Sequence, residues 1–296
     1  MAIDGVLTIP GDISVIGDYA LENYEADKIV LPEGVTHIGV STFSNSAVKE
    51  VNLPSSLKTM GQDAFYTCER LERIAIPEGI EVIPGSCFFF CTSLSSLTLP
   101  SSLKTLDAFS LCGCSSLTTL DLPEGLETIG IDALLNVGIT ELTIPSSCTK
   151  FNLSGQKQLK KVTLPAGMTE LPMNAFRRMT SLESVVLPAG ITAIPSNLFS
   201  GCTSLKSLTI PEGVKTIGEA AFAASGIESI VIPESVEKID NYTFQGCPNL
   251  ESIDIKAPIK SLPNYFALEC PNLKSVSLPE GLEEIGFKAF VHCSSL

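Results

Sequence analysis

One apolar motif recurs along the whole chain and constrains its fold more than any other feature. The motif has the form LxxIxLP, and its seventh position is proline in all but one of thirteen copies. These seventh positions are Pro10, Pro32, Pro54, Pro77, Pro100, Pro123, Pro145, Pro165, Pro188, Pro211, Pro233, Lys256 and Pro279. Neighbouring positions lie 20 to 23 residues apart, which is the signature of a repeat solenoid whose units pack only on their neighbours.

The unbroken repeat predicts one domain. We expect a single solenoid over residues 1–296, made of about 13 repeats of 22–23 residues. One repeat, between Pro145 and Pro165, is short and lacks the Ala-Phe pair found in other units. Both ends are expected to lack caps, because the first motif follows Met1 closely and Leu296 falls on the opening leucine of another unit.

Each unit contains two short apolar segments separated by turns. Alternating apolar residues before the proline, as from Leu205 to Ile210, predict a strand that the proline terminates. Glu-Gly or Ser-Ser follows as a turn, and an apolar pair such as Val214 and Ile217 predicts a second extended segment. An Ala-Phe pair, as at 221–222, predicts a single helical or 3₁₀ turn that returns the chain.

The unit LxxIxLPxGVxxIGxxAFxxC resembles the leucine-rich repeats of the BspA-like, or Treponema pallidum type, class. Residues 205–222, LKSLTIPEGVKTIGEAAF, match that pattern almost position for position, and the resemblance covers essentially the whole chain. It implies an α/β leucine-rich-repeat solenoid with a curved parallel β-sheet on the concave face. The same resemblance implies short extended segments and single helical turns on the other side. It also implies a cell-surface or secreted protein that binds host proteins or other cells, and it carries no catalytic residue to transfer.

Seven of the ten cysteines occupy one position of the repeat, three residues before an opening leucine. They are Cys68, Cys91, Cys114, Cys202, Cys247, Cys270 and Cys293. Stacked positions lie about 4.8 Å apart with parallel side chains, whereas the Cβ atoms of a disulfide converge to roughly 3.5–4.5 Å. We therefore predict reduced thiols that pack as small apolar groups. Cys112-Gly113-Cys114 has no second close pair to complete a zinc site, so no metal and no cofactor are expected.

The sequence also lacks the motifs of common enzyme classes. It contains no GxGxxG, GxxxxGK[ST], GxSxG or HExxH pattern, and His37 and His292 lie some eleven repeats apart. No run approaches the 18 apolar residues of a membrane span. We therefore predict a protein that is not an enzyme, does not insert into a membrane and has no nucleic-acid partner.

A basic cluster surrounds the short repeat, although the chain carries a net charge of −14. Between residues 150 and 178 Glu170 is the single acid, while the bases are Lys150, Lys157, Lys160, Lys161, Arg177 and Arg178. Neighbouring return turns of a solenoid lie side by side, so we expect these residues to share a surface beside a notch left by the missing Ala-Phe pair. Such a surface would attract an anionic protein segment or an acidic glycan. The alternative is a basic stretch that only reduces repulsion within an acidic solenoid.

Two surplus aromatic residues mark a second candidate. Phe89 and Phe90 fall where other repeats carry polar or glycine pairs such as Ser200-Gly201. They could form an exposed patch with Tyr66 and Cys112, which share the repeat position of Phe89. Alternatively, they cover the irregular neighbouring turn at 106–109.

These observations predict a non-catalytic module that binds a protein or a glycan at a cell surface or in the secreted state. Two alternatives stay open. One is a structural spacer or stalk, in which the variable positions would be uniform. The other is an intracellular scaffold for protein interactions.

Overall fold

The computed structural model describes residues 4–296 and is a β-solenoid of stacked coils with parallel strands. Its contacts divide the chain into two compact units, one ending at Asn152 and one running from Leu153 to Leu296. The boundary falls inside the short repeat. The expectation of one continuous solenoid over residues 1–296 stays a prediction.

Strands of the first unit form two rows. The row before the prolines contains β1 (Val6–Thr8), β3 (Lys28–Val30), β5 (Glu50–Asn52), β7 (Arg73–Ala75), β9 (Ser96–Thr98) and β12 (Glu141–Thr143). The second row contains β2 (Val15–Ile16), β4 (His37–Ile38), β6 (Thr59–Met60), β8 (Val82–Ile83), β10 (Thr105–Leu106), β11 (Thr128–Ile129) and β13 (Lys150–Phe151). Strands β1-β3-β5-β7-β9 form one parallel sheet, and the second row forms the sheets β2-β4-β6 and β8-β10-β11-β13.

The second unit repeats this arrangement. Its first row contains β14 (Lys161–Thr163), β15 (Ser184–Val185), β18 (Ser229–Ile232), β20 (Ser252–Ile255) and β22 (Ser275–Ser277). Its second row contains β16 (Ala193–Ile194), β17 (Thr216–Ile217), β19 (Lys238–Ile239), β21 (Ser261–Leu262) and β23 (Glu284–Ile285). Parallel pairing joins β14 to β15, β18 to β20 to β22, β16 to β17 to β19, and β21 to β23.

The register of the strands follows the repeat, so equivalent residues stack. Ile29 pairs with Val51, and Ile230 pairs with Ile253, at the same position of successive coils. These inward residues are at most 3% exposed, whereas their strand neighbours face solvent. The alternation of apolar and polar residues in the sequence therefore decides which face of each strand enters the core.

The return segments are not helical, so the predicted single helical or 3₁₀ turns are wrong. The predicted α/β class is therefore wrong in its helical component. Residues 4–296 contain no helix, and hence none of the length and hydropathy needed to cross a membrane. In the return turn at 84–91, the N–H groups of Cys87 and Phe89 donate to carbonyls three residues back. Those of Phe88 and Phe90 donate instead to Ser110 and Cys112 of the next coil, at 2.8 and 2.7 Å.

Two physical reasons exclude a helix here. A helix needs right-handed residues throughout, yet every fourth residue of these turns is left-handed, with Ser86 at φ 52° and Phe90 at φ 54°. In addition, a segment of about two turns is too short to be stable as an isolated helix. Half of its N–H groups gain a fixed partner in the next coil instead.

Phenylalanines form the largest apolar columns of the core. In the second unit Phe176, Phe199, Phe222 and Phe244 stack face to face, with neighbouring ring centres 5.3 to 5.7 Å apart, and all four are 0% exposed. Phe43, Phe65 and Phe88 stack likewise in the first unit, at 4.9 and 5.2 Å. Each ring therefore stabilises the two coils beside it.

We expect Phe199→Ala to lower the free energy of unfolding by roughly 3–5 kcal/mol, because it opens a cavity between two stacked rings. Urea denaturation monitored by circular dichroism measures this change. Met173→Ala is the matched control, since Met173 is 62% exposed and its loss should change stability little. An effect of Phe199→Ala no larger than that of the control would contradict the stacked-column account.

The seven cysteines that share one position of the repeat, here called the cysteine column, act as hydrogen-bond donors. All ten cysteines are free, and nine of them are buried. Each of the seven column thiols lies 2.9 to 3.2 Å from a backbone carbonyl oxygen of the preceding coil, as Cys91 does from Phe65. Ser46 makes the same bond with its hydroxyl, to Leu21 at 2.7 Å. The thiols therefore satisfy carbonyl groups between coils as well as filling space.

Burial also keeps three of these thiols protonated well above pH 9. Loss of hydration raises the pKa of Cys68, Cys114 and Cys202 from 9.0 to about 12. In an unfolded chain the same thiols ionise near pH 9. The native state therefore binds more protons than the unfolded state between these two values, and stability must fall as pH rises through that range.

We expect the unfolding midpoint to change little between about pH 6 and pH 8 and to fall steadily from about pH 9 toward pH 12. Cys68→Ser should flatten this slope, because the serine hydroxyl can make the bond that Ser46 makes and does not titrate there. Thermal unfolding over a pH series measures both slopes. Equal slopes for the variant and the parent would assign the alkaline loss to other groups.

In the first unit, hydrogen bonds from a serine to a glutamate of the preceding coil also join coils in pairs at the turn after the proline. We name each such pair of bonds a glutamate clasp. Glu33 accepts hydrogen bonds from the backbone N–H and the hydroxyl of Ser55, at 3.2 and 3.0 Å. Glu78 and Glu124 accept the same pair of bonds from Ser101 and Ser146. These bonds hold the pKa of Glu33 and Glu78 below its usual range.

Candidate binding surfaces

In the part of the chain that the structure describes, no three histidine, cysteine, aspartate or glutamate side chains meet as a possible metal site. What varies between coils is the charge and the aromatic content of the surface. The strand faces and the return turns differ in how fully their charges are paired.

Charges on the strand faces are largely neutralised by the next coil. On the first unit, Glu50 of β5 lies 2.7 Å from Lys28 of β3 and 3.7 Å from Arg73 of β7. The Lys28 hydrogen bond lowers the pKa of Glu50, so this ladder of alternating charge persists at neutral pH. In the second unit, Lys206, Lys215 and Lys274 pair in the same way with Glu228, Glu237 and Glu251.

One of the six predicted basic residues follows this rule, and a second one also has a partner. The ammonium group of Lys160 lies 3.3 Å from the carboxylate of Glu183, one coil further along. Glu183 lies just beyond the sequence window that suggested a basic cluster, although a step of one repeat from Lys160 reaches it. Lys161, on β14, also has an interaction partner. The charge of Lys160 is therefore paired, whereas the role of Lys161 in a binding surface stays a prediction.

Lys157, Arg177 and Arg178 behave differently, and together we name them the basic turn surface. They belong to successive return turns of the second unit, where Gly155 donates its N–H to the Arg177 carbonyl at 2.7 Å. Within residues 4–296 none of the three forms an ion pair, and Lys157 and Arg178 are exposed. Lys150 lies in the first unit, on β13, and its place beside these three residues stays a prediction.

Arg177 is the least satisfied member of the basic turn surface. Arg177 as a whole is half-buried, and its Nε atom is fully buried and has no hydrogen-bond partner. A buried N–H without an acceptor is costly, more so on a charged group. A guanidinium group favours a carboxylate or a sulfate as its hydrogen-bond acceptor.

The short repeat keeps the inter-coil bonding despite its missing Ala-Phe pair. Leu153 takes the place of the phenylalanine, is 1% exposed and donates its N–H to Ala175 at 2.9 Å. Gln156 takes the place of the column cysteine and is also 1% exposed. Both polar atoms of its side-chain amide lack a partner. The buried amide therefore weakens this coil, and the sequence pattern did not single out Gln156 as a cause.

We expect Gln156→Met to raise the free energy of unfolding by about 1–3 kcal/mol, because it removes an unsatisfied buried amide. Met179 occupies the same position of the next coil and is 0% exposed, so a methionine fits this column. Urea denaturation measures the gain, and Met179→Gln in the next coil is the reciprocal variant and should lose stability. No gain from Gln156→Met would mean that the amide is satisfied in solution.

The second predicted candidate is an aromatic cluster on the return turns of the first unit. Phe89 stacks on Tyr66 at 5.0 Å and also contacts Phe90 at 4.7 Å and Phe109 at 6.4 Å. Phe90 and Phe109 are 41% and 38% exposed, whereas Cys112, expected in this patch, is only 4% exposed. We name Tyr66, Phe89, Phe90 and Phe109 the aromatic turn surface.

Comparison with known families and structures agrees with this architecture. A family model described as BspA type Leucine rich repeat region (6 copies) matches residues 6–108, 37–155, 81–206 and 169–296, which together span 6–296. None of the curated proteins matches the chain.

Solved structures share the fold. A leucine-rich repeat protein from Bacteroides ovatus is 30% identical, with a TM-score of 0.76 over 94% of this chain and 79% of that chain. The pneumococcal vaccine antigen PcpA is 20% identical, with a TM-score of 0.52 over 95% of this chain and 74% of that one. A leucine-rich repeat protein from Eubacterium ventriosum is also 20% identical at a TM-score of 0.52, over 99% and 79%.

Proposed function

Because the chain belongs to the BspA-type leucine-rich repeat family, a repeat module for protein interaction, we propose that it is a non-catalytic binding module of a cell-surface or secreted protein. It holds an acidic protein segment or an acidic glycan on the basic turn surface. One structural neighbour, PcpA, is a vaccine antigen, which is in keeping with exposure of such a solenoid outside the cell. Detection of the native protein on intact cells by an antibody tests this location.

The observation that carries the proposal is the unpaired charge of Lys157, Arg177 and Arg178. Elsewhere on the second unit, lysines such as Lys215 and Lys260 face a glutamate of the next coil, at 2.9 and 3.0 Å. Three neighbouring cations without acids leave positive potential on a chain of net charge −14. Such a local field steers anionic partners and weakens over a Debye length of about 8 Å at physiological salt.

A spacer would not need this departure. One repeat further along the chain, the equivalent positions carry neutral residues. Ser200 and Gly201 are equivalent to Arg177 and Arg178, and Thr180 is equivalent to Lys157. Replacing the basic residues by these neutral residues should leave the coil intact. A stalk function would then be unaffected, whereas a binding function would be lost.

The variant Lys157→Thr, Arg177→Ser, Arg178→Gly tests the binding role. We expect it to fold normally and to lose at least about tenfold affinity, or 1.4 kcal/mol, for heparin or for poly-L-glutamate. Titration calorimetry or surface plasmon resonance at two salt concentrations measures the loss. Preference for one probe identifies the partner as a sulfated glycan or as an acidic protein segment.

A charge-matched control removes three paired lysines, through Lys206→Ser, Lys215→Thr and Lys274→Thr. Both triple variants change the net charge equally, so only loss of a specific surface separates them. Equal affinity losses in the two variants would mean that net charge alone explains the effect. Unchanged binding by the first variant would exclude the basic turn surface.

A further inference from the structure

Phe90 and Phe109 stand in an unusual backbone conformation. Their φ angles are 54° and 58°, in the left-handed region that favours glycine. Some equivalent positions carry residues that suit this conformation, namely Gly113, Gly201 and Gly246 at the position of Phe90 and Asn174 and Asn197 at that of Phe109. Other coils carry larger residues there, such as Glu269 at the position of Phe90 and Tyr242 and Tyr265 at that of Phe109.

Neither phenylalanine is fully buried. Phe90 is 41% exposed and Phe109 is 38% exposed, although rings of the neighbouring column are 0% exposed. The next coil makes room for Phe90, because a Cβ atom on Gly113 would come within 2.9 Å of its ring. Two aromatic groups in left-handed positions therefore stay partly exposed at the surface.

The turns around these rings are acidic. Return turns 61–68, 84–91, 107–114 and 130–137 contain Asp63, Asp107 and Asp132 but no lysine or arginine. Phe90 donates its N–H to the Cys112 carbonyl at 2.7 Å, and burial, followed by the negative charge of Asp132, raises the pKa of the Cys112 thiol. Phe109 also donates its N–H to the carbonyl of Ile131 at 3.0 Å, so Asp132 directly follows a residue bonded to Phe109. Within residues 4–296 none of the three aspartates forms an ion pair.

The whole first unit also carries a negative net charge. Through Asn152 the sequence has 19 acids and 7 lysines and arginines, whereas the remainder has 14 and 12. The first unit is therefore −12 and the second −2. An acidic surface with exposed rings attracts cations through its field and can place them against ring faces.

We propose that the aromatic turn surface binds an amphipathic protein segment that carries lysine or arginine beside apolar side chains. The apolar side chains would cover Phe90 and Phe109, while the cations face Asp63, Asp107 and Asp132. This interaction goes beyond the proposed anion binding, since it uses other residues and the opposite charge. Loss of one interaction therefore leaves the other measurable.

A fluorescent peptide of alternating leucine and lysine is the probe. We expect it to bind at least about tenfold more tightly than a leucine–glutamate peptide and a serine–lysine peptide, with affinity falling between about 50 and about 300 mM salt. The variant Phe90→Gly, Phe109→Asn installs residues found at the same positions of other coils. It should melt no lower than the parent and lose at least about tenfold affinity for the leucine–lysine peptide.

Phe287→Asn is the matched control. Phe287 is 60% exposed on the second unit, and asparagine occupies its position in two preceding coils, at Asn241 and Asn264. This variant should bind the leucine–lysine peptide as the parent does. Unchanged affinity of the double variant would overturn the proposal and assign binding to the general negative charge. Preference for leucine–glutamate, or self-association of the parent that the double variant abolishes, would also overturn it.

Discussion

The sharing of backbone N–H groups between a turn and the next coil is the constraint on which the rest of this structure depends. In each return turn, alternate N–H groups close local turns while those between them reach the following coil, as with Phe89 and Phe88. This pattern forces left-handed residues at fixed places, such as Ser86 and Phe90, and excludes a helix. It also sets the coil spacing at which rings stack and thiols reach carbonyls.

The sequence predicts well whatever depends on the period. The two strand rows, the buried phenylalanines and the free cysteine column follow from residue types that recur at one position, because stacked coils repeat one environment. The helical turn was wrong, since an Ala-Phe pair does not reveal that half of the N–H groups leave the segment. Contacts between coils were harder to predict: Glu183 neutralises Lys160 from one repeat away, and Gln156 is unusual only when aligned with the cysteines.

The two proposed surfaces share a physical logic. Both lie on return turns, where the backbone bonds are independent of the outward side chains, so those side chains can change without loss of the coil. Both replace residues suited to a coil, such as Ser200 and Gly201, by residues that are unpaired, exposed or strained, such as Arg177 and Phe90. Residues that lower the stability of a coil without improving its packing are expected on a surface that is retained for binding.

The glutamate clasp of the first unit bears on how such a solenoid can lengthen. Glu33, Glu78 and Glu124 each hold the serine turn of the following coil, so glutamate turns and serine turns alternate. Loss or duplication of a single coil would set two glutamate turns or two serine turns side by side and leave one clasp without its partner. In this part of the chain the structural period is therefore a pair of coils rather than the single repeat.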